Sequence, residues 1–380
     1  MWHESMKSLY IGIYELKTVS HVRIGTGENV RLPTPIDNAQ ARILRIDTTT
    51  RGHKYTIYIP ASSIHGVLRS AVEDALRTYF YNGNSYKTFE NLVSTNDKNL
   101  KNWLEKSAKG LQDIYLESLD ELPLFGPVCY PTLEFDACQI PVRGAERRNY
   151  FKQIGRVKKT KDSGDAPYIC YVCQTFGATG FRGRVRVLNA YPASYLEDEL
   201  ALDIISRNAI DRVTGAAAEN RLFDIEAIPP GTIFYFALIV ENALENVTYL
   251  KETPNSSDYG DGIRKLLNKD GKHAKFINLV NIGINMLSSG LVGIGAHNTV
   301  GFGYVEISPI IELEVRNVKV FAKEYLLKSE NPSLHDLIKK DEYRENINLK
   351  VDKQRIQRID LIEDLYPKII KDLIKAATME

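Results

Sequence analysis

Gly293-Ile-Gly-Ala-His-Asn-Thr-Val-Gly-Phe-Gly303 is a glycine-rich stretch between an apolar, helix-like run (276–291) and a strand-like run (304–311). Glycine permits positive φ and lets a ligand come close to backbone N–H groups, and successive N–H groups can cradle a phosphate. Taken alone, the stretch fits better an ordinary helix-to-strand connection whose glycines only make turns. No Gly-Lys-Ser/Thr follows it, so a nucleotide P-loop is excluded.

The pattern on both sides of this stretch predicts the order strand, helix, strand, strand, helix, strand, which is the split βαβ order of ferredoxin-like and RNA-recognition folds. The predicted fold class is therefore α+β, with one added hairpin. The predicted elements are a strand at 8–16, a hairpin within 41–59, a helix that opens at Ser62 or Ser63, strands at 183–191 and 231–241, a helix at about 262–291 and a last strand at 304–311.

Insertions interrupt this core. We assign residues 1–315 to the core, with insertions at about 81–182 and 200–230. Residues 316–380 contain no glycine and are rich in Lys, Glu and Ile. They predict a helical C-terminal extension that packs on the core or on a neighbouring subunit.

Composition indicates an ordinary folded chain. Of 380 residues, 43% are hydrophobic and 26% are charged, a typical soluble balance. No apolar run reaches the roughly 18 residues that a membrane span needs, and the N-terminus has no apolar signal region. We therefore expect no membrane contact and a cytoplasmic protein. The net charge of +1 does not indicate a nucleic-acid binder, but only the face that meets phosphate must be basic.

One segment is strongly basic. Tyr150 and Phe151 lie inside it, and basic side chains interleaved with aromatic ones can hold phosphates and stack bases. A solvated mobile loop is the alternative, but the density of charge favours nucleic acid. The basic residues are Arg143, Arg147, Arg148, Lys152, Arg156, Lys158, Lys159 and Lys161, and a second group on the following predicted strand comprises Arg182, Arg184 and Arg186.

The predicted start of the first helix also suits an anion. Ser62 or Ser63 is a good N-cap, and a helix N-terminus with free N–H groups attracts negative charge. Arg69 adds a cation, and His65 lies on the same side of the helix. The alternative is a helix that is merely capped and carries solvated charges.

Cys129, Cys138, Cys170 and Cys173 all lie in the first insertion. The Cys-x-x-Cys spacing of the last two lets two thiolates chelate one ion, and the first two could complete a structural zinc site that holds this core-poor segment in shape. Buried free cysteines, or a disulfide in a hyperthermophile, are the alternatives.

Several motifs together resemble one known family. These are Pro60-Ala-Ser-Ser-Ile-His-Gly-Val-Leu-Arg69, Cys170-Tyr-Val-Cys-Gln-Thr-Phe-Gly177 with Gly183-Arg-Val-Arg-Val187, Ile210-Asp-Arg-Val-Thr-Gly215 with Pro229-Pro-Gly-Thr-Ile-Phe234, and the glycine stretch 293–303. In this order, over about residues 8–310, they are similar to the RAMP superfamily of CRISPR-associated proteins. The branch they most resemble is the backbone subunit of type III (Csm/Cmr) effector complexes, of the Csm type.

The resemblance implies an RNA-recognition-like core with a lid or finger insertion and a thumb hairpin at about 208–228. It implies guide (CRISPR) RNA, complementary target RNA and sibling RAMP subunits as partners, in an antiviral ribonucleoprotein complex. The glycine stretch would hold guide backbone through its N–H groups and its side chains. By this resemblance the RNA-binding residues there are Gly293, Gly295, His297, Asn298, Gly301 and Gly303.

The resemblance also implies an endoribonuclease. Asp37 matches the position of an Asp that cleaves bound target RNA with a divalent metal such as magnesium, although taken alone it reads as a turn residue. Two departures bear on RNA contact: Ala61 stands where the family has Gly, and His65 stands where it has Lys.

Two further functions stay open. The chain could be a non-catalytic RNA-binding paralogue in the same complex, which its long C-terminal extension favours. It could also be a stand-alone enzyme that processes guide RNA. Such enzymes rely on a histidine in the N-terminal half, and in the sequence His21 and His53 lack a supporting neighbourhood.

Overall fold

The computed structural model describes residues 6–25, 39–46, 53–81, 171–178, 182–193, 202–245, 275–322, 325, 334–339, 345–356, 359 and 365–379. The chain forms two compact units. The first comprises residues 1–71, 186–244 and 283–380, and the second comprises 72–185 and 245–282.

The described part of the chain contains both helices and antiparallel strands, as the sequence predicts for an α+β fold. In order they are β1 (Leu9–Thr18), β2 (Arg42–Ile46), β3 (His53–Ile57), α1 (Ala61–Tyr81), α2 (Tyr171–Phe176), β4 (Val185–Val187), β5 (Tyr191–Pro192), β6 (Asp203–Ile210), β7 (Ala217–Ala227), β8 (Ile233–Glu241), α3 (Phe276–Ser288), β9 (Val305–Val315), α4 (Val318–Phe321), α5 (Leu334–Lys339), β10 (Ile347–Val351) and α6 (Lys368–Thr378).

The main sheet has the strand order β10-β9-β1-β8-β4, and β5 also pairs with β8. β1 runs antiparallel to both β8 and β9. The connection β1-α1-β4 therefore encloses β8, and β8-α3-β9 encloses β1. Two interlocked split βαβ units make the ferredoxin-like sheet, so the predicted fold class is confirmed.

One face of β1 carries a row of tyrosines. The Tyr10 and Tyr14 hydroxyls lie 2.7 Å apart, and the Tyr10 hydroxyl donates to Glu312 Oε1 at 2.7 Å. The Tyr14 ring stacks on Phe236 with 5.3 Å between centroids. Gly12 lies between the two tyrosines, and a Cβ there would collide with both rings. The glycine is thus required for close aromatic packing inside the sheet, and burial raises the pKa of both tyrosines.

The C-terminal extension packs on the opposite face of this sheet. Ile11 and Ile13 of β1 share one apolar cluster with Leu373 and Ile374 of α6. The Tyr366 hydroxyl donates to the carbonyl oxygen of Tyr235 in β8 at 2.7 Å. The sequence analysis predicted that the extension packs on the core or on a neighbouring subunit. Its described residues pack on the core.

The extension also contains a strand, which the sequence analysis did not predict. β10 pairs antiparallel with β9, with Ile347 opposite Val315 and Val351 opposite Ile311. The run Ile-Asn-Leu-Lys-Val alternates apolar and polar residues, the pattern of a strand with one buried face. This alternating pattern is only five residues long and lies among Lys- and Glu-rich residues, so it was not recognised in the sequence.

Two hairpins branch from the sheet. β2 pairs antiparallel with β3, as predicted for the 41–59 region, and β6 pairs antiparallel with β7. We call the β6–β7 hairpin, residues 203–227, the thumb hairpin. No described helix is long and apolar enough to cross a membrane.

The start of α1 corrects one prediction. The helix begins at Ala61, so Ser62 and Ser63 lie in its first turn and neither is the N-cap. The Ala61 N–H donates to Asn189 Oδ1 at 2.9 Å, and the Ser63 N–H donates to the Pro60 carbonyl oxygen at 3.0 Å. A side chain distant in sequence satisfies the helix start, which the local sequence could not show.

Candidate nucleic-acid interface

The candidate interface lies where β1 ends and β9 begins, because Thr18 pairs with Val305. Three segments of the first unit meet at this end of the sheet. They are residues 19–25 after β1, the base of the thumb hairpin, and the glycine loop, which we define as residues 293–303.

The glycine loop packs its backbone directly on the segment after β1. The Ala296 N–H donates to the Arg23 carbonyl oxygen, and the Gly303 N–H donates to that of His21, both at 2.8 Å. Gly295 has a φ of 85°, and a Cβ there would collide with the Arg23 carbonyl oxygen. Gly303 has a φ of 87° and leaves no room for a Cβ beside Asn298 Oδ1. Both glycines are therefore needed for a positive φ and for close approach.

Six of the eleven backbone N–H groups of this loop donate hydrogen bonds inside the protein. The Ile294 N–H donates to the Gly303 carbonyl oxygen at 2.9 Å, and the Val300 N–H donates to that of His297 at 3.0 Å. Asn298 Nδ2 donates to the Gly293 carbonyl oxygen at 2.8 Å. The glycines thus make turns, and a phosphate at this loop would meet side chains before these N–H groups.

Basic side chains gather around the Phe302 ring. The Arg207 guanidinium carbon lies 4.5 Å from its centroid, and the rings of His21 and His297 lie 5.6 and 5.8 Å from it. Arg23 Nη1 is 3.5 Å from His297 Nε2. We call these five residues the Phe302 cluster. Its arginines come from the segment after β1 and from the thumb hairpin, so the cluster exists only in the folded chain.

The electrostatics of the Phe302 cluster favour an anion. Burial and the charges of Arg23 and Arg207 hold the pKa of His297 below its ordinary value. This environment favours the neutral form of the His297 ring. The His297 backbone is in the left-handed region, with a φ of 64°. His21 Nε2 lies 2.8 Å from Asp203 Oδ2. Guanidinium groups bind phosphate oxygens through charge-assisted hydrogen bonds, and a bound phosphate would offset the repulsion between these cations.

The thumb hairpin ends in a well-ordered turn with an apolar tip. Asp211 Oδ1 accepts hydrogen bonds from the Val213 N–H at 2.7 Å and the Thr214 N–H at 3.0 Å, and these bonds lower the pKa of Asp211. Gly215 closes the turn with a φ of 69°. The Val213 side chain is 95% exposed. The turn presents an apolar side chain to solvent on a fixed backbone.

The predicted residues of α1 are at the start of that helix and on its less buried side. Ser62 is exposed, Ser63, His65 and Arg69 are half-buried, and Ile64 faces the core. Contact with RNA at these positions stays a prediction.

Arg182 and Arg184 lie in the second unit. Arg182 is exposed, and the Arg184 guanidinium carbon lies 4.5 Å from the centroid of the Phe276 ring. A cation on an aromatic face is a stable arrangement without any ligand, so Arg184 has a structural role whether or not it contacts RNA.

Of the five residues of the Phe302 cluster, the sequence analysis selected only His297 and missed the other four. His21 has no supporting neighbourhood in the sequence, but in the fold Asp203 and Phe302 lie beside it. Arg23 and Arg207 were not selected at all. Each is a single arginine in an otherwise ordinary strand or turn, and no local pattern marks it.

Several predicted residues lie outside the described residues. They are Asp37, Cys129, Cys138, Cys170, Arg143, Arg147, Arg148, Lys152, Arg156 and Lys158. Cys173 is described and is buried in α2. Within the described part of the chain, no three or more His, Cys, Asp or Glu side chains are grouped to hold a metal. Zinc and the catalytic carboxylate stay predictions.

The model of a family described as the RAMP superfamily matches residues 15–306, which is most of the chain. No curated protein matches the sequence. The matched range begins inside β1 and ends inside β9, so it contains α1, β4, β8, α3, the thumb hairpin and the glycine loop.

Proposed function

Because the chain belongs to the RAMP superfamily of CRISPR-associated proteins, we propose that it is a guide-RNA-binding backbone subunit of a type III effector complex. The observation that carries the proposal is the Phe302 cluster. It brings two arginines and two histidines around one ring at the end of the sheet where the glycine loop and the thumb hairpin meet. Phosphate contacts of this kind position an RNA backbone without reading its sequence.

The arrangement suggests a path for the RNA. Guide phosphates would lie against Arg23 and Arg207, with His297 as a further donor once it is protonated. The Ser62 and Ser63 turn would receive a neighbouring phosphate at the helix N-terminus. Val213 at the thumb tip would enter between bases of the guide–target duplex, as the family resemblance implies. Sibling RAMP subunits would continue the path on either side.

Cleavage of the bound target is the second part of this proposal. The target's own 2′-hydroxyl oxygen loses its proton and attacks the adjacent phosphorus, and the bond to the 5′-oxygen breaks. The leaving 5′-oxygen takes a proton from water, so the products are a 2′,3′-cyclic phosphate and a 5′-hydroxyl. Asp37 would take the 2′-hydroxyl proton or hold the divalent metal that stabilises the phosphate charge. The protein's remaining task is to hold the scissile phosphate in line.

RNA binding can be tested with arginine variants. The double variant Arg23→Gln/Arg207→Gln should bind guide RNA about tenfold more weakly or worse, and its affinity should depend less on salt, because each lost phosphate contact removes about 0.7 from the salt slope. Arg316→Gln is the matched control. Arg316 is exposed and follows the other end of β9, roughly 35 Å along the strand. Equal salt slopes for all three proteins would exclude the cluster as a phosphate site.

Catalysis is tested in the assembled complex. Asp37→Ala should remove the cleavage products of target RNA while guide binding is kept. An unchanged set of products would reject Asp37 and leave the alternative function, a non-catalytic RNA-binding paralogue. The third function, processing of guide RNA, requires that the isolated chain release unit-length guide from its precursor.

We also propose that Cys129, Cys138, Cys170 and Cys173 hold a structural zinc ion. The support is the Cys-x-x-Cys spacing, which suits chelation of one ion. Elemental analysis of the purified protein should give about one zinc per chain. Loss of the metal in a Cys170→Ser variant, with RNA binding at the Phe302 cluster unchanged, would separate this site from the RNA site.

A further inference from the structure

Glu226 is a buried carboxylate of the thumb hairpin whose two oxygens hold one neighbouring segment. The residue is 4% exposed. Its Oε1 accepts a hydrogen bond from Arg42 Nη2 at 2.7 Å, and its Oε2 accepts one from the Gln40 N–H at 2.9 Å. Burial opposes the charge of Glu226, but the Arg42 guanidinium and the Gln40 N–H hold its pKa below the usual value. Loss of one partner would leave a buried charge uncompensated.

Gln40 in turn joins the two chain ends that border residues 26–38. Its Oε1 accepts a hydrogen bond from the Ile24 N–H at 2.9 Å, and the Ala41 N–H donates to the Ile24 carbonyl oxygen at 2.8 Å. Gly25 and Gln40 form an antiparallel bridge, and Gln40 is fully buried. The chain before this segment and the chain after it are therefore fixed together, and Glu226 fastens that point to β7.

The same region joins the thumb hairpin to the rest of the first unit. Val22 and Ile228 exchange backbone hydrogen bonds of 3.0 and 2.8 Å, and His21 pairs with Asp203 at the first residue of β6. A shift of the thumb hairpin would thus act on the segment after β1 and, through Glu226, on Gln40. In the sequence, Asp37 precedes Gln40 by three positions.

We propose that Glu226, together with Arg42 and Gln40, is a positioning clamp through which the thumb hairpin sets the placement of the chain that carries Asp37. The clamp would then keep the Asp37 carboxylate at a fixed position relative to RNA that is bound along the thumb hairpin. The inference rests on the proposed function of Asp37. A misplacement of about 1 Å in a catalytic group costs on the order of a hundredfold in rate, so a clamp of this kind affects the rate more than it affects affinity.

The test uses the assembled complex with guide and target RNA. Glu226→Gln should lower the rate of target cleavage at saturating target by about ten- to a hundredfold and change RNA affinity by less than about threefold. Arg42→Lys keeps the charge but loses the planar fork, and it serves as the milder variant should Glu226→Gln fold poorly. Asp37→Ala is measured alongside.

The matched control is Asp352→Asn. Asp352 also accepts from one arginine side chain and from backbone N–H groups. Its Oδ2 accepts from Arg355 Nη1 at 2.8 Å, and its Oδ1 accepts from the Gln354 and Arg355 N–H groups at 3.0 and 3.3 Å. It lies in the C-terminal extension, directly after β10. Asp352→Asn should leave the cleavage rate unchanged.

Hydrogen exchange supplies a readout that does not depend on cleavage. In the wild-type complex, RNA should slow amide exchange in peptides that cover residues 39–46. In Glu226→Gln these peptides should exchange faster, and RNA should no longer slow them. The clamp is overturned if a folded Glu226→Gln protein cleaves at the wild-type rate, or if its exchange over 39–46 matches wild type with and without RNA. If Asp37→Ala still cleaves, the proposed catalysis fails, and the exchange result alone decides the clamp.

Discussion

At the scale of single residues, Phe302 organises the candidate interface. Its ring is 5% exposed, so it is a packing surface for cations and not a stacking platform for bases. A guanidinium over an aromatic face stays in place while its N–H groups face outward. Arg207 has this position, and His297 approaches the same ring by its edge. The cluster is thus preorganised before any phosphate arrives.

The lowered pKa of His297 predicts how RNA affinity depends on pH. The free protein favours neutral His297, whereas a phosphate favours the protonated form. As pH falls from 7.5 to 5.5, RNA should therefore bind more tightly, by about tenfold for one charge-assisted contact. His297→Gln should remove most of this increase, and His335→Gln, in the C-terminal extension, should not. Binding isotherms across this pH range check it, and parallel curves for all three proteins would contradict it.

At the scale of elements, the glycine loop and the first helix use glycine for different reasons. Gly295 has a positive φ and no room for a Cβ, whereas Gly66 in α1 has open space around it. Gly295→Ala should therefore destabilise the protein by about 2 kcal/mol. Gly66→Ala should stabilise it by about 0.5–1 kcal/mol, because alanine suits a helix interior. Denaturant unfolding measures the change in the free energy of unfolding for both variants. A stabilised Gly295→Ala protein would contradict the packing of the glycine loop described above.

The thumb tip is the second element with a clear expectation. Because the Val213 side chain is 95% exposed, Val213→Asp should change the melting temperature little. A charge cannot enter a base stack without desolvation, so target cleavage should fall about tenfold or more. Cleavage assays and thermal melts of Val213→Asp are compared with those of Arg212→Gln, a control in the same exposed turn. The comparison shows whether cleavage depends on insertion of the Val213 side chain or on the net charge of the turn. Full cleavage by Val213→Asp would exclude Val213 as the inserted residue.

At the scale of the whole first unit, the C-terminal extension changes which surfaces RNA can reach. RNA-recognition folds stack bases on the open face of their sheet. Here the face that bears Ile11 and Ile13 packs against α6, and the other face holds the buried tyrosine row. Under the proposed function, nucleic acid would therefore bind at the end of the sheet, where the Phe302 cluster lies, and not on the described parts of either face.

This packing predicts a stability effect far from the interface. Leu373 is fully buried between α6 and the sheet, so Leu373→Ala should lower the free energy of unfolding by about 3 kcal/mol. Lys375→Ala, on the exposed side of the same helix, should change it by less than about 0.5 kcal/mol. Chemical denaturation of the full chain checks both, and similar midpoints for the two variants would contradict the packing of the extension.

Local pattern was enough for the α+β class, the order of the core elements, the β2–β3 hairpin and the position of the glycine loop, whereas the thumb hairpin was expected only from the family resemblance. Periodicity of apolar residues is a short-range signal, and the long core strands and helices carry it. The same reasoning missed β10, whose five residues lie within a Lys- and Glu-rich region. It also placed the start of α1 one or two residues late, because the Ala61 N–H is satisfied by the distant Asn189.

Only the folded chain shows which residues form the site. His21, Arg23, Arg207, His297 and Phe302 come from three separate segments, and each is an ordinary residue in its own neighbourhood. The pairing of Thr18 with Val305 and of Val22 with Ile228 brings those segments together. The position of the glycine loop could therefore be predicted from its own sequence. Which cations surround the loop depends on strand register, and register is set by packing between residues distant in the sequence.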